Sequence, residues 1–438
     1  MTASQSVLSE VKKYKCSENA FMPRMVVIPL TQEKKCICKS LVFPGDIVKE
    51  GDVIAEAQDN ELAAKIHSPV PGKVIDFVSV LCPNGRYEKA VRIQLAGSFI
   101  FTGKKLESRE WKYLSSSAIV DKFAENGILN TFTTGKPLSL TSQIQSIKNK
   151  EKNNDCSLLV RLFDDDCFRL ADSLLAKFYF AQIVEGARIT AKAINAQKII
   201  FVMDEKSSFG EDSIEQDKEK MIFFKMKVSK YPAGFKHKII SAFKKSFKKQ
   251  PELSLSMEDL FVDSYTMFAV YNSLVYNQPL ISNYVHFSGN CIPVSCFLQV
   301  KNGFLIKDLI EQLGGFVHQP SLIVINGKIC GNAVNSLEVP ITKEVKSIEF
   351  ISRVHKTDYH IYNCIDCGNC RNVCSVGLAP DLLYKYAVNG LKISTFQIDS
   401  ALKCAGCNLC NTVCSARLPL SQTIGVLKNN LMGNENEE

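Results

Sequence analysis

Eight of the 17 cysteines in this 438-residue chain fall in two short runs near its C-terminal end. The first reads Cys364-Ile-Asp-Cys367-Gly-Asn-Cys370-Arg-Asn-Val-Cys374 and the second Cys404-Ala-Gly-Cys407-Asn-Leu-Cys410-Asn-Thr-Val-Cys414. Both have the form CxxCxxCxxxC, and two such copies in one short segment are not a chance pattern. Three thiols spaced three apart on one tight turn point to different corners of a single inorganic core, so this stretch must fold around what its sulfurs hold.

Two pairs of thiolates could also hold a tetrahedral zinc ion, but zinc ribbons usually separate their pairs by about a dozen residues or more. Here only three residues separate the third cysteine from the fourth. The run is that of a two-cluster bacterial-type ferredoxin, in which the fourth ligand of each cubane comes from the other run. Cys364, Cys367, Cys370 and Cys414 are therefore expected to hold one [4Fe-4S] cluster, and Cys404, Cys407, Cys410 and Cys374 the second. Ser375 and Ser415 follow the fourth cysteines where the motif usually continues with proline.

The length implies about two to four domains, and an apolar fraction of 46% is enough for packed cores. The other nine cysteines (Cys16, Cys36, Cys38, Cys82, Cys156, Cys167, Cys291, Cys296 and Cys330) form no disulfide framework. Cluster thiolates need a reducing compartment, which places the chain in the cytoplasm. Met1 to Lys15 lacks the apolar core of a secretion signal. No apolar run approaches the roughly 18–20 residues that span a bilayer, so membrane association must come through a partner or the surface. Of the net charge of +8, the densest part is Lys230–Lys249, with seven lysines and no acid. Ile239, Ile240, Phe243 and Phe247 recur in it at helical spacing. It reads as a solvated helix face, or as a docking surface for an acidic protein or anionic headgroups. No nucleic-acid motif accompanies the charge, and no nucleic-acid partner is expected.

Taken in order, residues 1–22 read as a polar lead-in. Residues 23–105 show short strands punctuated by Pro44-Gly45-Asp46, Glu50-Gly51-Asp52 and Pro71-Gly72. This flattened sandwich of hairpins resembles the biotinyl/lipoyl barrel-sandwich hybrid. A carrier role would need a lysine at an exposed hairpin tip, and the nearest, Lys65, lacks the flanking context. Residues 108–278 alternate helical segments (Ala118–Ala124, Ala171–Ile183, Ala187–Ala196) with apolar strands (Leu158–Leu162, Lys198–Met203, Met221–Val228), which implies a largely parallel sheet. Asn149–Asp155 and Asp204–Lys220 read as loops. Residues 282–352 give strand, turn, helix, Gly314-Gly315 and hairpin, a β-grasp-like module. The cluster module covers 355–425, and 426–438 is a polar, disordered tail. The fold class is multidomain, α/β and α+β.

This order of modules resembles the RnfC family, the peripheral electron-input subunit of Rnf ion-translocating complexes, over roughly residues 23–425. Tyr231-Pro232-Ala233-Gly234-Phe235-Lys236-His237-Lys238-Ile239-Ile240 is similar to the family's YPxGxExxLI stretch, with Lys236 in place of the acid. Asn277-Gln278-Pro279-Leu280 to Gly289, and Val339-Pro340-Ile341-Thr342-Lys343, match two further family passages. The resemblance implies a complex-I-flavoprotein-like α/β domain that binds FMN and NADH, an SLBB-like β-grasp, and electron flow through the clusters to flavin-bearing membrane subunits. It also implies a peripheral location on the cytoplasmic face of the inner membrane.

The departures from the family bear on the flavin. Its glycine-rich loop, GxGGxGFPTxxK, corresponds to Glu125-Asn126-Gly127-Ile128-Leu129-Asn130-Thr131-Phe132-Thr133-Thr134-Gly135-Lys136-Pro137. Gly127 fits, but bulky and β-branched residues replace the cluster of glycines that would let backbone N–H groups approach a phosphate. The family's NxxECEPYxxxD is matched by Asp164, Asp166 and Asp172, with Arg161 in place of the asparagine, and a further flavin-site asparagine becomes Ser264. Read alone, Asp164–Asp166 is an acidic turn. The FMN-type candidates are thus Gly127, Asp164, Asp166, Asp172 and Ser264, with the phosphate nest expected to be blocked. Two electron sources stay open: NADH, or a small soluble carrier such as ferredoxin or flavodoxin that reduces the clusters directly. A soluble cobalamin-reductase-like flavoprotein is the alternative from another class; a purely structural role is disfavoured, because one cluster would suffice as a staple. One-electron transfer needs no acid or base, so no catalytic side chain is nominated.

Overall fold

The computed structural model describes residues 10–14, 18–33, 36–58, 62–96, 108–135, 137–150, 156–207, 220–250, 253–352 and 360–434. Most of the expected loops at 149–155 and 204–220, Lys136, and the last residues of the tail lie outside them. The chain divides into two compact units, Met1–Gly234 with Phe243–Ser352, and Phe235–Ala242 with Arg353–Glu438.

The first unit opens with two small antiparallel sheets. One runs Met25–Pro29, Tyr87–Leu95, Gly72–Leu81, Ile47–Val48; the other Cys38–Ser40, Val53–Ala57, Ile66–His67. Val26, Ile28, Ile54, Ile66, Val74, Val91 and Ile93 fill the space between them. The Gly-Asp turns are made as their chemistry suggests. Gly45 and Gly51 take positive φ (102° and 88°), and the carboxylates of Asp46 and Asp52 accept the N–H groups of Phe43 and Lys49 at 2.8 and 2.7 Å. Lys65 is half-buried and ion-paired with Glu56 at 3.3 Å, not the exposed tip a carrier lysine requires.

A four-stranded, fully parallel sheet follows, ordered Met221–Met226, Lys198–Asp204, Ser157–Arg161, Leu260–Asp263. Helices Ser116–Glu125, Ala171–Phe178, Phe180–Ile194 and Ser264–Tyr276 pack into the same core as its strands. The helical region breaks at Tyr179, not after Ile183 as the sequence pattern indicates. Gly186 lies inside the second helix because a Cβ there would meet the Met267 carbonyl oxygen at 2.0 Å; it is a close-packing residue, not a breaker. The basic run forms helix Lys236–Ser246, with Ile239, Ile240 and Phe243 buried and Lys244, Lys245, Lys248 and Lys249 exposed.

The third sheet is mixed, in the order Glu18–Asn19, Cys296–Lys301, Ser282–Gly289, Ser347–Ile351, Leu322–Ile325, Asn332–Val334. Helix Ile306–Gln312 follows the first hairpin, and the last strand returns parallel to Ser282–Gly289. The lead-in is not loose where it is described. Glu18–Asn19 pairs in parallel with Leu298–Gln299, Val11 is buried in the α/β core, and the Tyr14 hydroxyl meets His286 Nε2 at 2.6 Å. Those partners lie far along the chain, and local composition carries no sign of them.

In the second unit the cysteine runs carry two four-residue helices, Asn369–Asn372 and Leu409–Thr412, and the longer helices Pro380–Asn389 and Leu420–Asn434 follow them, the last running through most of the segment 426–438 expected to be a disordered tail. Three left-handed residues recur at matching places: Asp366, Gly368 and Gly377 in the first half, Gly406, Asn408 and Arg417 in the second, each 40 residues beyond its counterpart. The halves are one backbone design used twice.

Candidate functional site

In the cysteine module, each four-residue helix follows a left-handed residue, Gly368 or Asn408, which turns the chain sharply enough to bring the third cysteine back toward the first two. Cys364, Cys367, Cys370 and Cys414 line one pocket, together with Gly368, Asp381, Ala416, Leu418 and Leu420. Cys414 thus stands with the three cysteines of the other run. On the other side, burial and, after it, the adjacent thiols of Cys404, Cys407 and Cys374 together push the Cys410 thiol up to about 12. Cys374 and Cys404 also border the same small apolar core of Leu378, Leu383, Ala401 and Ile424.

The backbone addresses these sulfurs symmetrically. The Leu378 N–H donates to Cys374 Sγ at 3.2 Å, and the Leu418 N–H to Cys414 Sγ at 3.4 Å. Among the described residues, no three His, Cys, Asp or Glu side chains are gathered as one metal ion would gather them. Thiolates on the separate irons of a cubane stand farther apart than ligands on one zinc. The donor set, soft thiolates at the rim of an apolar pocket with N–H groups on the sulfurs, fits a [4Fe-4S] group.

The second candidate site is the C-terminal edge of the parallel sheet. Ser157–Arg161 and Leu260–Asp263 lie side by side there, although the chain goes from the first of them to the strands on its opposite flank. Such a switch in strand order is where open α/β sheets leave a crevice for a ligand. This crevice is filled from within. Arg161, 1% exposed, donates to the carbonyls of Phe163, Gly234 and Phe132 at 3.0, 2.7 and 3.0 Å, with its guanidinium 4.2 Å over the Phe132 ring. Arg169 forks onto Asp164 (2.9 Å), Asp165 (2.6 Å) and Asp172 (3.1 Å). Lys346 spans Asp172 and Asp263 at 3.0 and 2.6 Å. Burial acts to raise the Asp263 carboxyl, but Lys346 and Arg161 overcome it and hold it well below its ordinary range. Burial raises Asp172, which shares Lys346 with Asp263.

The segment that replaces the glycine loop joins this network. Leu129, Asn130, Thr131 and Phe132 are all buried. The Thr131 hydroxyl donates to Asp263 at 3.0 Å, Asn130 Nδ2 to the Phe261 carbonyl at 2.8 Å, and Phe132 packs edge-on against Phe261. The structure therefore brings Asp164 and Asp172 together, but on cations of the chain itself. Asp166 caps a turn, accepting the N–H groups of Ile329 and Cys330 at 2.8 and 2.9 Å. Ser264 Oγ donates to the Arg161 carbonyl at 3.3 Å. Gly127, at φ 65°, offers its carbonyl to a different lysine, Lys343, at 2.9 Å. Two of the buried atoms lacking a hydrogen-bond partner among the described residues, His67 Nδ1 and Asn302 Oδ1, lie outside the network, while His286, whose Nδ1 is a third, feels the charge of Asp164. These residues do not fit a flavin phosphate. Sequence reasoning missed Arg169, Lys346 and Asp263 as network members. Asp263 had a readable signal, an acid immediately before a helix, and it caps Thr266 N–H at 2.8 Å.

Residues 8–98 match the family model described as the RnfC barrel sandwich hybrid domain. Over 380 residues the chain is 26% identical to the C subunit of the proton-translocating ferredoxin:NAD(+) oxidoreductase complex of Clostridium ljungdahlii, covering 85% of this chain and 81% of that protein. It is 23% identical to the Na(+)-translocating counterpart of Acetobacterium woodii (83% and 82% covered) and to the C subunit of the ion-translocating oxidoreductase complex of Rhodobacter capsulatus (82% and 69%). A chain of an NAD+-reducing [NiFe]-hydrogenase in the air-oxidized state aligns at a TM-score of 0.45 and 11% identity, over 73% of this chain and 55% of that one. Residues 8–98 thus match the RnfC barrel sandwich hybrid domain, and along most of its length the chain is similar to the C subunits of ion-translocating oxidoreductase complexes.

Proposed function

We propose that this chain is the peripheral electron-transfer subunit of a membrane-bound, Rnf-type ion-translocating oxidoreductase, on the cytoplasmic face of the membrane. Its barrel-sandwich, flavoprotein-like and SLBB-like β-grasp modules serve as scaffold and docking parts, and the C-terminal module relays electrons. The observation that carries this reading is the pocket in which Cys414 joins Cys364, Cys367 and Cys370. Those four hold one [4Fe-4S] cluster, and Cys374, Cys404, Cys407 and Cys410 a second. When bound, the clusters supply one-electron transfer, and the chain's part is to hold them and set their environment.

The names of the relatives pair ferredoxin with NAD(+). For this chain we favour a small soluble carrier over NADH as the partner in solution, because Arg161, Arg169 and Lys346 occupy the crevice that a flavin would need. Integral membrane subunits take up the electrons. Among the described residues no helix is long and apolar enough to cross a membrane, so attachment comes through those partners.

Anaerobic purification with iron, sulfide and flavin analysis tests the reading. About eight irons per chain and no flavin are expected. Eight irons with one FMN per chain would restore the NADH route and refute the filled-crevice argument. Zinc in place of iron would end the electron-transfer account.

A further inference from the structure

Because the two cysteine runs share one backbone design, what differs between the clusters must come from side chains. The N–H bonds to Cys374 and Cys414 are equivalent and do not distinguish them, while Ser375 Oγ lies 3.7 Å from Cys407 Sγ of the second set. The charges distinguish them. Asp381, 4% exposed, lines the pocket of the first set, with Oδ1 3.7 Å from Cys370 Sγ. Its counterpart 40 residues on is Ser421. Asp381 is paired with Arg371 at 2.7 Å, but the arginine side chain is 47% exposed while the carboxylate is 5% exposed. Water screens the guanidinium far more than the buried carboxylate, so the nearby sulfur sees net negative charge. In the second half this ion pair becomes a neutral one, with Asn411 Oδ1 accepting the Ser421 N–H at 2.9 Å.

Asp366 Oδ1 also lies 3.7 Å from Cys364 Sγ, where the second half has Gly406, but it is paired with Lys385, the less exposed of the two, so this pair adds no net negative charge at that sulfur. A second difference has the same sign as the first. On the other side Lys428 Nζ donates to the Cys404 carbonyl at 3.0 Å, at a place where the first half has Val388. The first set thus lies beside the buried carboxylate of Asp381, and the second beside the ammonium group of Lys428. Negative charge near a cluster disfavours taking up an electron, and positive charge favours it.

Resting on the cluster reading above, we infer that the two sites are poised apart: the cluster held by Cys364, Cys367, Cys370 and Cys414 has the lower reduction potential, and a single electron given to the module settles on the cluster held by Cys374, Cys404, Cys407 and Cys410. The step moves one electron and no proton, so the first site is the donor and the second the acceptor within the pair. Asp381 and Arg371 are positioning residues that set the first midpoint.

The test is an anaerobic redox titration of the full chain followed by EPR, with dithionite as reductant, on wild type, Asp381→Asn, Arg371→Gln and Ser421→Asp. Two separate midpoints are expected in the wild type. Asp381→Asn should raise the lower midpoint alone, Arg371→Gln should depress it further, and Ser421→Asp should depress the upper one. Opposite shifts from the two ends of one ion pair are not what a merely structural contact produces. If Asp381→Asn fails to load iron, the exposed Arg371 decides the matter. Coincident wild-type midpoints, or an upper midpoint that follows Asp381 or Arg371, overturn the inference while the iron content leaves the cluster reading standing. A wild-type chain without iron removes both.

Discussion

The crevice at the end of the parallel sheet and the pocket of the cysteine module each stand where a redox group could be held, and they treat their polar atoms in opposite ways. In the crevice every charge is answered by the chain: Arg161 by three carbonyls, Arg169 by three aspartates, Lys346 by two. In the cysteine module the thiols of Cys364, Cys367, Cys370 and Cys414 face a shared opening, and the contacts of their surroundings with them are weak ones of 3.4 Å or more. A buried polar group whose partners come from its own chain has little to offer a ligand, whereas a cofactor site leaves that satisfaction to the cofactor. A phosphate placed in the crevice would have to displace carboxylates already bonded to buried cations, at a large desolvation cost.

The largest effect should come from removing one thiol. Cys414→Ser takes a ligand from the set that the first run otherwise supplies, and iron should fall from about eight to about four per chain. Cys330→Ser, in the first unit, should leave the content unchanged. Loss of the signal of the second run instead would mean that each run holds its own cluster, and would undo the crossed assignment.

Next in size is the crevice. Lys346→Met leaves Asp172 and Asp263 buried without their shared cation, and a loss of about 3–5 kcal/mol is expected from the urea-unfolding midpoint. A loss well under 1 kcal/mol would show the network to be loose enough to yield to a ligand, and the contrast with the cysteine module would fail.

What could be read from the sequence depended on how local its cause was. The Gly-Asp turns at Gly45 and Gly51 close within four residues, and the cysteine runs carry their own geometry. The alternation of strands and helices from 157 to 276 is a pattern of period and length, and the parallel sheet follows from it. The expected gap between Ile183 and Ala187 is helix, because the reason for Gly186, close approach of the Met267 carbonyl, lies on another helix. The strand at Glu18–Asn19 was missed because its partner is at Leu298–Gln299. In the crevice the change to Arg161 was visible as a departure, but its role was not. Its partners Phe132 and Gly234 are distant in sequence, and the neutralising Lys346 belongs to a different sheet module. A lost glycine loop can be read from residues; what fills its place depends on long-range packing.

A subtler contrast concerns Lys343, which is tied to the Gly127 carbonyl and to the Lys65 carbonyl at 2.8 Å. Burial pulls its ammonium down to about 7, only partly opposed by Cys38 and Glu33. The unfolded chain keeps this lysine protonated up to its ordinary value, so between about 7 and about 10 the unfolded state binds more protons and stability rises with pH. Below about 7 both states are protonated and this dependence ends. In Lys343→Met the rise should flatten, as read from thermal midpoints at pH 7, 8, 9 and 10. An unchanged slope would mean that the two carbonyls keep the ammonium fully charged, which would make Lys343 as self-satisfied as Lys346.

The smallest effect is expected where charge is densest in sequence. Lys248 and Lys249 close the basic run and are exposed, so water already screens them. Lys248→Ala with Lys249→Ala should change stability by no more than about 0.5 kcal/mol, against several for the single buried Lys346. If this run is also where an acidic carrier docks, the same pair should weaken carrier binding at low salt and lose that effect as ionic strength rises. Equal binding at all salt concentrations would leave the run as a solvated face. Either way, a lysine in this chain matters according to the water around it, and that is the property that separates the sealed crevice from the open surface.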